Sequence, residues 1–220
     1  MNKQAIVRRL LAFAVGATLL VIGDYLYGTT YYTDQPGEPT RFLVSGLLGM
    51  AASCGYLYGL FGYYAAFRQE SRLYQRLIVG GLSLFTVGVA TTHSLASAHM
   101  VAFNQRLLAP DVAALTEVFR HVDSFYNVYF IPMMIGLLVG YGALFAAILS
   151  RKTIFPRWTL WFHPLPLAII ISALDATVAG YPILLKSPAL GSIVFNVVLA
   201  VSISRQPVTT DLAHLPPQKA

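Results

Sequence analysis

Asp24, His93 and Asp175 stand inside long apolar stretches of the sequence, where an ionisable side chain is rare and expensive to keep. They are the candidate catalytic residues. A carboxyl among apolar groups favours its neutral form and can donate a proton. Beside tyrosine and phenylalanine it could protonate an alkene, with aromatic faces stabilising the cation that results. His99, His121, Asp123, Tyr126 and Asn127 follow nearby and are candidate substrate-binding residues. Carboxylates and imidazoles together are also the ligand types of a zinc-like divalent ion. No HxxxH or HExxH spacing occurs, so metal ligands would have to come from separate helices. Haem ligation by paired histidines is a further option, without a CxxCH attachment motif to support it.

Periodicity arranges these residues on helix faces. His93, Ser97, Met100 and Asn104 fall at i, i+4, i+7 and i+11, one stripe of a helix. His99 lies about 120° round from His93, so one pocket holds both only by wrapping round that helix. Arg120, Asp123 and Asn127 form another stripe, and Arg120 could pair with Asp123 at i, i+3. Each group also has a plainer reading. Asp24 and Asp175 could be bonded to tyrosine or backbone, and His99 and His121 could be solvated residues at a membrane interface.

The elements that must position these groups follow from composition. The chain has 220 residues, 56% hydrophobic and 11% charged, with one cysteine and a net charge of +6. A soluble domain carries about 25% charged residues. Disorder and a disulfide scaffold are excluded on the same numbers. Six stretches approach the roughly 20 apolar residues that cross a bilayer: about 10–28, 42–67, 77–103, 125–149, 158–180 and 189–203. The fold class is therefore all-α, a polytopic membrane protein built as a bundle of six transmembrane helices. Residues 1–205 form that domain and 206–220 a flexible cytoplasmic tail. The basic start Lys3, Arg8 and Arg9 precedes a retained first helix rather than a cleaved signal.

Basic residues give the direction. Lys3, Arg8, Arg9, Arg68, Arg72, Arg76, Arg151, Lys152, Arg157, Arg205 and Lys219 share one side, against Arg41, Arg106, Arg120 and Lys186 on the other. The positive-inside rule then places both termini in the cytoplasm of a cell inner membrane. The charge is a topology signal, and a nucleic-acid partner is not needed to explain it. Asp24, His93, His99, His121, Asp123, Asn127 and Asp175 all fall in the outer half on this reading, with His163 and Asn196 outside the set. Asp24, His93 and Asp175 should share one cavity, with His121, Asp123 and Asn127 at its mouth. Apolar packing near Gly88 and Gly136 should close it below.

Other features serve packing. Gly55 with Gly59, and Gly136 with Gly140, have the GxxxG spacing that lets helices approach closely. They are expected to pack within the monomer, a homodimer seam being the alternative. Pro132, Pro164 and Pro166 interrupt spans four and five. Pro110-Asp111 suits the start of an amphipathic helix that lies on the outer surface or extends span four. Tyrosines and tryptophans near span ends fit aromatic belts.

Gly23-Asp24 with Leu26 and Gly28 at the end of the first span, and Pro156-Arg157-Trp158 with Pro164 opening the fifth, resemble uncharacterised six-span bacterial integral membrane proteins. That resemblance implies architecture only. The functional expectation is an intramembrane enzyme acting on a lipid or isoprenoid, with membrane lipids and a hydrophobic small molecule as partners. A transporter or small-molecule-binding membrane protein is the alternative.

Overall fold

A computed structural model describes residues 3–31, 33, 35–67, 71–177, 187 and 189–206, without the side chains of Ser172 and residues 175–177. The described residues form six α-helices: α1 (Lys3–Tyr31), α2 (Pro39–Phe67), α3 (Arg72–Leu108), α4 (Ala113–Leu149), α5 (Pro164–Thr177) and α6 (Ala189–Arg205). A 3₁₀ turn at Arg157–Phe162 precedes α5. The first four helices are long and apolar enough to cross a membrane, and α6 is a shorter apolar helix.

Each long helix packs on its sequence neighbour, and α6 closes back onto α1. Glycine permits the approach at two crossings. A Cβ on Gly55 would lie 2.8 Å from the Gly16 Cα, so α1 and α2 meet almost backbone to backbone. At the α3–α4 crossing a Cβ on Gly136 would lie 2.6 Å from the Phe85 nitrogen. Both GxxxG pairs are thus spent inside the chain. The core between the helices is aromatic: Phe13 lies 4.5 Å from Tyr56 and 5.7 Å from Tyr63, and Tyr56 lies 5.4 Å from Phe85.

The outside is apolar as well. Val15, Leu43, Phe61, Val87, Ile131, Leu138 and Ile169 are all exposed. A helix apolar on every face belongs in a large core or in lipid, and this bundle supplies no further layer among the described residues.

Two elements differ from the sequence reading. The fifth span does not run as one helix from Trp158. Its first residues form the 3₁₀ turn, with Trp158 and Trp161 exposed. His163 then turns extended (φ −67°, ψ 138°), and α5 starts at Pro164. The cause is local: a residue before proline is pushed out of helical geometry, whereas proline itself fits a first turn. Pro164 and Pro166 therefore begin a helix instead of interrupting one, while Pro132 does lie inside α4. The amphipathic segment extends span four, but Pro110 and Asp111 sit in the preceding turn, closed by Val112 N–H donating to the Ala109 carbonyl at 3.2 Å. As a result α3 and α4 form a hairpin of two 37-residue helices. Each is about 55 Å long at 1.5 Å per residue. Asp34, Lys186 and the tail from 207 lie outside the described residues.

Candidate functional site

Two carboxylate–imidazole pairs form at the end of the bundle that carries the α3–α4 turn. In the first, His93 of α3 reaches Asp24 of α1, Nε2 to Oδ1 at 3.2 Å. Ser187 donates its hydroxyl to the other Asp24 oxygen at 2.6 Å. The His93 side chain is 12% exposed and its Nδ1 is buried without a hydrogen-bond partner. With Asp24 ionised, Nε2 carries the proton and Nδ1 is the bare acceptor. The ring reaches this position because residue 49 has no side chain: a Cβ on Gly49 would overlap three carbons of His93.

The second pair is built about one and two-thirds turns further along α3. His99 Nε2 faces Asp123 Oδ1 of α4 at 3.0 Å, and Asn127 donates to Asp123 Oδ2 at 3.1 Å. On its other edge His99 Nδ1 lies 3.1 Å from the Tyr27 hydroxyl. The imidazole lies nearly parallel to the Tyr126 ring at a centroid distance of 4.9 Å, with Phe119 at 5.3 Å. His99 is buried, whereas the Asp123 side chain is 42% exposed. The solvated-interface reading of His99 does not hold.

A cavity of about 250 Å³ is lined by the first pair and reaches Tyr27 and Tyr126, which contact His99 of the second. Asp24, His93, Tyr27, Ser187, Thr92 and Ser192 give its wall a polar side. Leu20, Phe85, Val89, Phe130, Met133 and Leu137 make the remainder apolar. Tyr126 also lines it, so Tyr27 and Tyr126 both touch the cavity and His99.

The remaining candidates fall elsewhere. His121 takes no part in either pair: its Nε2 lies 3.0 Å from Glu117, and both side chains are more than half exposed. Arg120 pairs with Glu117 at 2.6 Å rather than with Asp123. The Arg120 guanidinium holds the Glu117 carboxyl below its ordinary range. Asp123 and Asn127 stand beside His99 but do not line the cavity. The side chain of Asp175 lies outside the described residues. Ser97 and Asn104, on the His93 stripe, bond backbone at Phe42 and Gly37. No group of three or more His, Cys, Asp or Glu side chains fit to hold a metal converges among the described residues.

A family model described as "Family of unknown function (DUF6796)" matches residues 1–206. The chain belongs to that family. No curated protein and no solved structure matches it. Membership agrees with the resemblance to an uncharacterised family and brings no activity with it.

Sequence reasoning missed two members of the site. Tyr27, near the end of the first span, reads by sequence as one of the belt aromatics, although its i+3 spacing from Asp24 puts both on one face of α1. Ser187 precedes the last helix and carries no pattern that marks it.

Proposed function

We propose that this chain is a six-span integral membrane protein of a cell inner membrane, both termini cytoplasmic, that takes a lipid or isoprenoid into the cavity and acts on it by proton transfer at Asp24 and His93. The observation that carries the reading is the Asp24–His93 hydrogen bond in the wall of an otherwise mostly apolar cavity. A charged residue at mid-bilayer depth costs about 2.5–3.5 kcal/mol on the most lenient insertion scale. Pairing with His93 and Ser187 lowers that cost, and the apolar wall suits a hydrocarbon chain whose head lies against the polar side.

The chemistry follows from the hydrogen bonds. His93 Nε2–H donates to Asp24 and fixes it, and because His93 Nδ1 is buried, the Asp24 carboxyl, 31% exposed, is the member of the pair that meets the cavity. A proton taken up by that carboxylate stays within the pair, the arrangement of a general base held in place by its hydrogen-bond partner. The same pair, protonated, serves as the acid for an alkene.

A transporter is the second reading, and one observation favours it. Ser192, in the cavity wall, accepts a hydrogen bond from Tyr141 at 2.9 Å. Asn196 donates to the Ser192 carbonyl at 2.8 Å and accepts from Tyr63 at 2.7 Å. This line carries polar groups from the cavity along α6.

The test incubates purified protein with membrane lipid extract and compares species by mass spectrometry. Wild type should convert at least one lipid species, and Asp24→Asn and His93→Gln should abolish the conversion while still folding. An unchanged lipid profile with wild type would overturn the enzyme reading. Asp24-dependent solute flux in proteoliposomes would then establish the second.

A further inference from the structure

We infer that Asp123, His99 and Tyr27 form a proton relay between the rim of the bundle and the cavity that holds Asp24 and His93. The inference rests on reading Asp24–His93 as a proton-transferring pair, but it does not require a bound lipid.

The line is continuous and its polarity is consistent. Asp123 Oδ2 accepts from Asn127, and Oδ1 faces His99 Nε2 at 3.0 Å. An ionised Asp123 therefore holds the proton of His99 on Nε2. Nδ1 is left as an acceptor for the Tyr27 hydroxyl at 3.1 Å. Tyr27 lines the cavity beside Asp24, three residues away on the same helix. The line thus starts at a carboxylate 42% exposed, passes an imidazole 2% exposed and ends in the cavity wall. Titratable groups around His99 are Asp123 and Tyr126 of α4 and Tyr27 and Tyr31 of α1. At His93 the pair partner is Asp24 of α1, and Tyr27 of α1 and Tyr126 of α4 line the same cavity.

Packing does not explain His99. Four aromatic rings surround it, those of Tyr27, Tyr31, Phe119 and Tyr126. A phenylalanine in that setting would bury as much apolar surface with no polar group to desolvate. An imidazole there gains its use from having two hydrogen-bonding edges, one toward each end of the line.

The transfer balances. A proton leaving the Asp24–His93 pair exits at Asp24, the member open to the cavity, and crosses through water or the bound group to the Tyr27 oxygen. The Tyr27 proton moves to His99 Nδ1, and the Nε2 proton moves to Asp123 Oδ1. At each site one bond to hydrogen breaks as another forms, and no electrons change carrier. Asp123 then releases the proton to water. The reverse sequence restores the starting tautomer, so the line is a two-way shuttle for a pair that gives and takes back one proton.

The experiment follows His93 directly. Full-length protein in lipid vesicles, with ring-labelled histidine, is subjected to an upward pH jump and watched by time-resolved infrared spectroscopy. The His93 band is assigned by its loss in His93→Gln. Tyr27→Phe, which keeps the ring and removes only the hydroxyl, should slow proton release from His93 on the order of 10²-fold. Asp123→Asn, at the other end of the line, should slow it similarly. The final protonation of His93 should be unchanged in both. Equal release rates in wild type and both variants would overturn the relay. If His93 releases protons through the relay while no lipid is converted, the proposed reaction fails and the relay stands. If lipid is converted at the wild-type rate in Tyr27→Phe and release is also unchanged, the relay fails and the reaction stands.

Discussion

Gly49 decides whether His93 can reach Asp24. A methyl group on Gly49 would occupy the space of the imidazole, within 2.1–2.3 Å of three His93 carbons. Gly49→Ala should push His93 off Asp24 and cost about 1–3 kcal/mol, the usual range for overpacking. Gly80 on α3 offers the control, since a Cβ there meets nothing within 4 Å. Gly80→Ala should leave the His93 signal in place, and thermal unfolding in detergent should separate the two variants. At this scale the sequence was informative about residue types and weaker about partners. Asp24 and His93 were legible because an ionisable group in an apolar run has to be explained. Their pairing was not, because it depends on the crossing of α1 and α3 and on a glycine of a third helix. His121 shows the limit from the other side: it has the same chemistry and similar depth by sequence, yet its rotation on α4 turns it to Glu117 and solvent.

Among the elements, α6 binds the bundle through polar contacts. Asn196 is fully buried and bridges Tyr63 of α2 to the Ser192 carbonyl. Asn196→Leu should strand the Tyr63 hydroxyl and destabilise the fold by about 1–3 kcal/mol. Adding Tyr63→Phe should recover much of that loss, which a double-mutant cycle measures as a coupling between the two positions. An additive pair of losses would show that the bond contributes nothing. Hydrophobic runs made four of the helices legible to within a few residues at their apolar ends. The polar extension of α4 was readable from the spacing of Val112, Leu115, Val118 and Phe119, although its start was misplaced. The break in span five was misread because apolar composition continues across His163, while the backbone there obeys Pro164 and not hydropathy.

For the molecule as a whole, the orientation is the prediction on which every depth argument depends. With Cys54 replaced by alanine, a cysteine at Gln35 should react with an impermeant reagent in intact cells. One at Lys152 should react only after permeabilisation, because basic connections stay in the cytoplasm. The opposite pattern would invert the protein and move both carboxylate–imidazole pairs to the inner leaflet. Antiparallel succession of the helices already gathers Asp24, His93, His99 and Asp123 at one end. That gathering was legible from sequence by counting spans, and it needed no knowledge of side-chain contacts.

The 17 residues of α6 have a consequence for the surrounding lipid. At 1.5 Å per residue this helix is about 25 Å long, short of the ~30 Å hydrocarbon layer, whereas α3 and α4 exceed it. Such mismatch is met by thinning the bilayer beside the short helix, at a fraction of a kcal/mol per Å. The thin flank would lie where α6 begins, at Ala189 next to Ser187, both in the cavity wall. Headgroups drawn inward there would bring water close to the level of Asp24 without any channel through the bundle. Longer acyl chains would raise the cost of that dimple and bury the carboxylate deeper. The access of water to the site would then be set partly by the chain length of the host lipids, a property of the membrane and not of the protein alone.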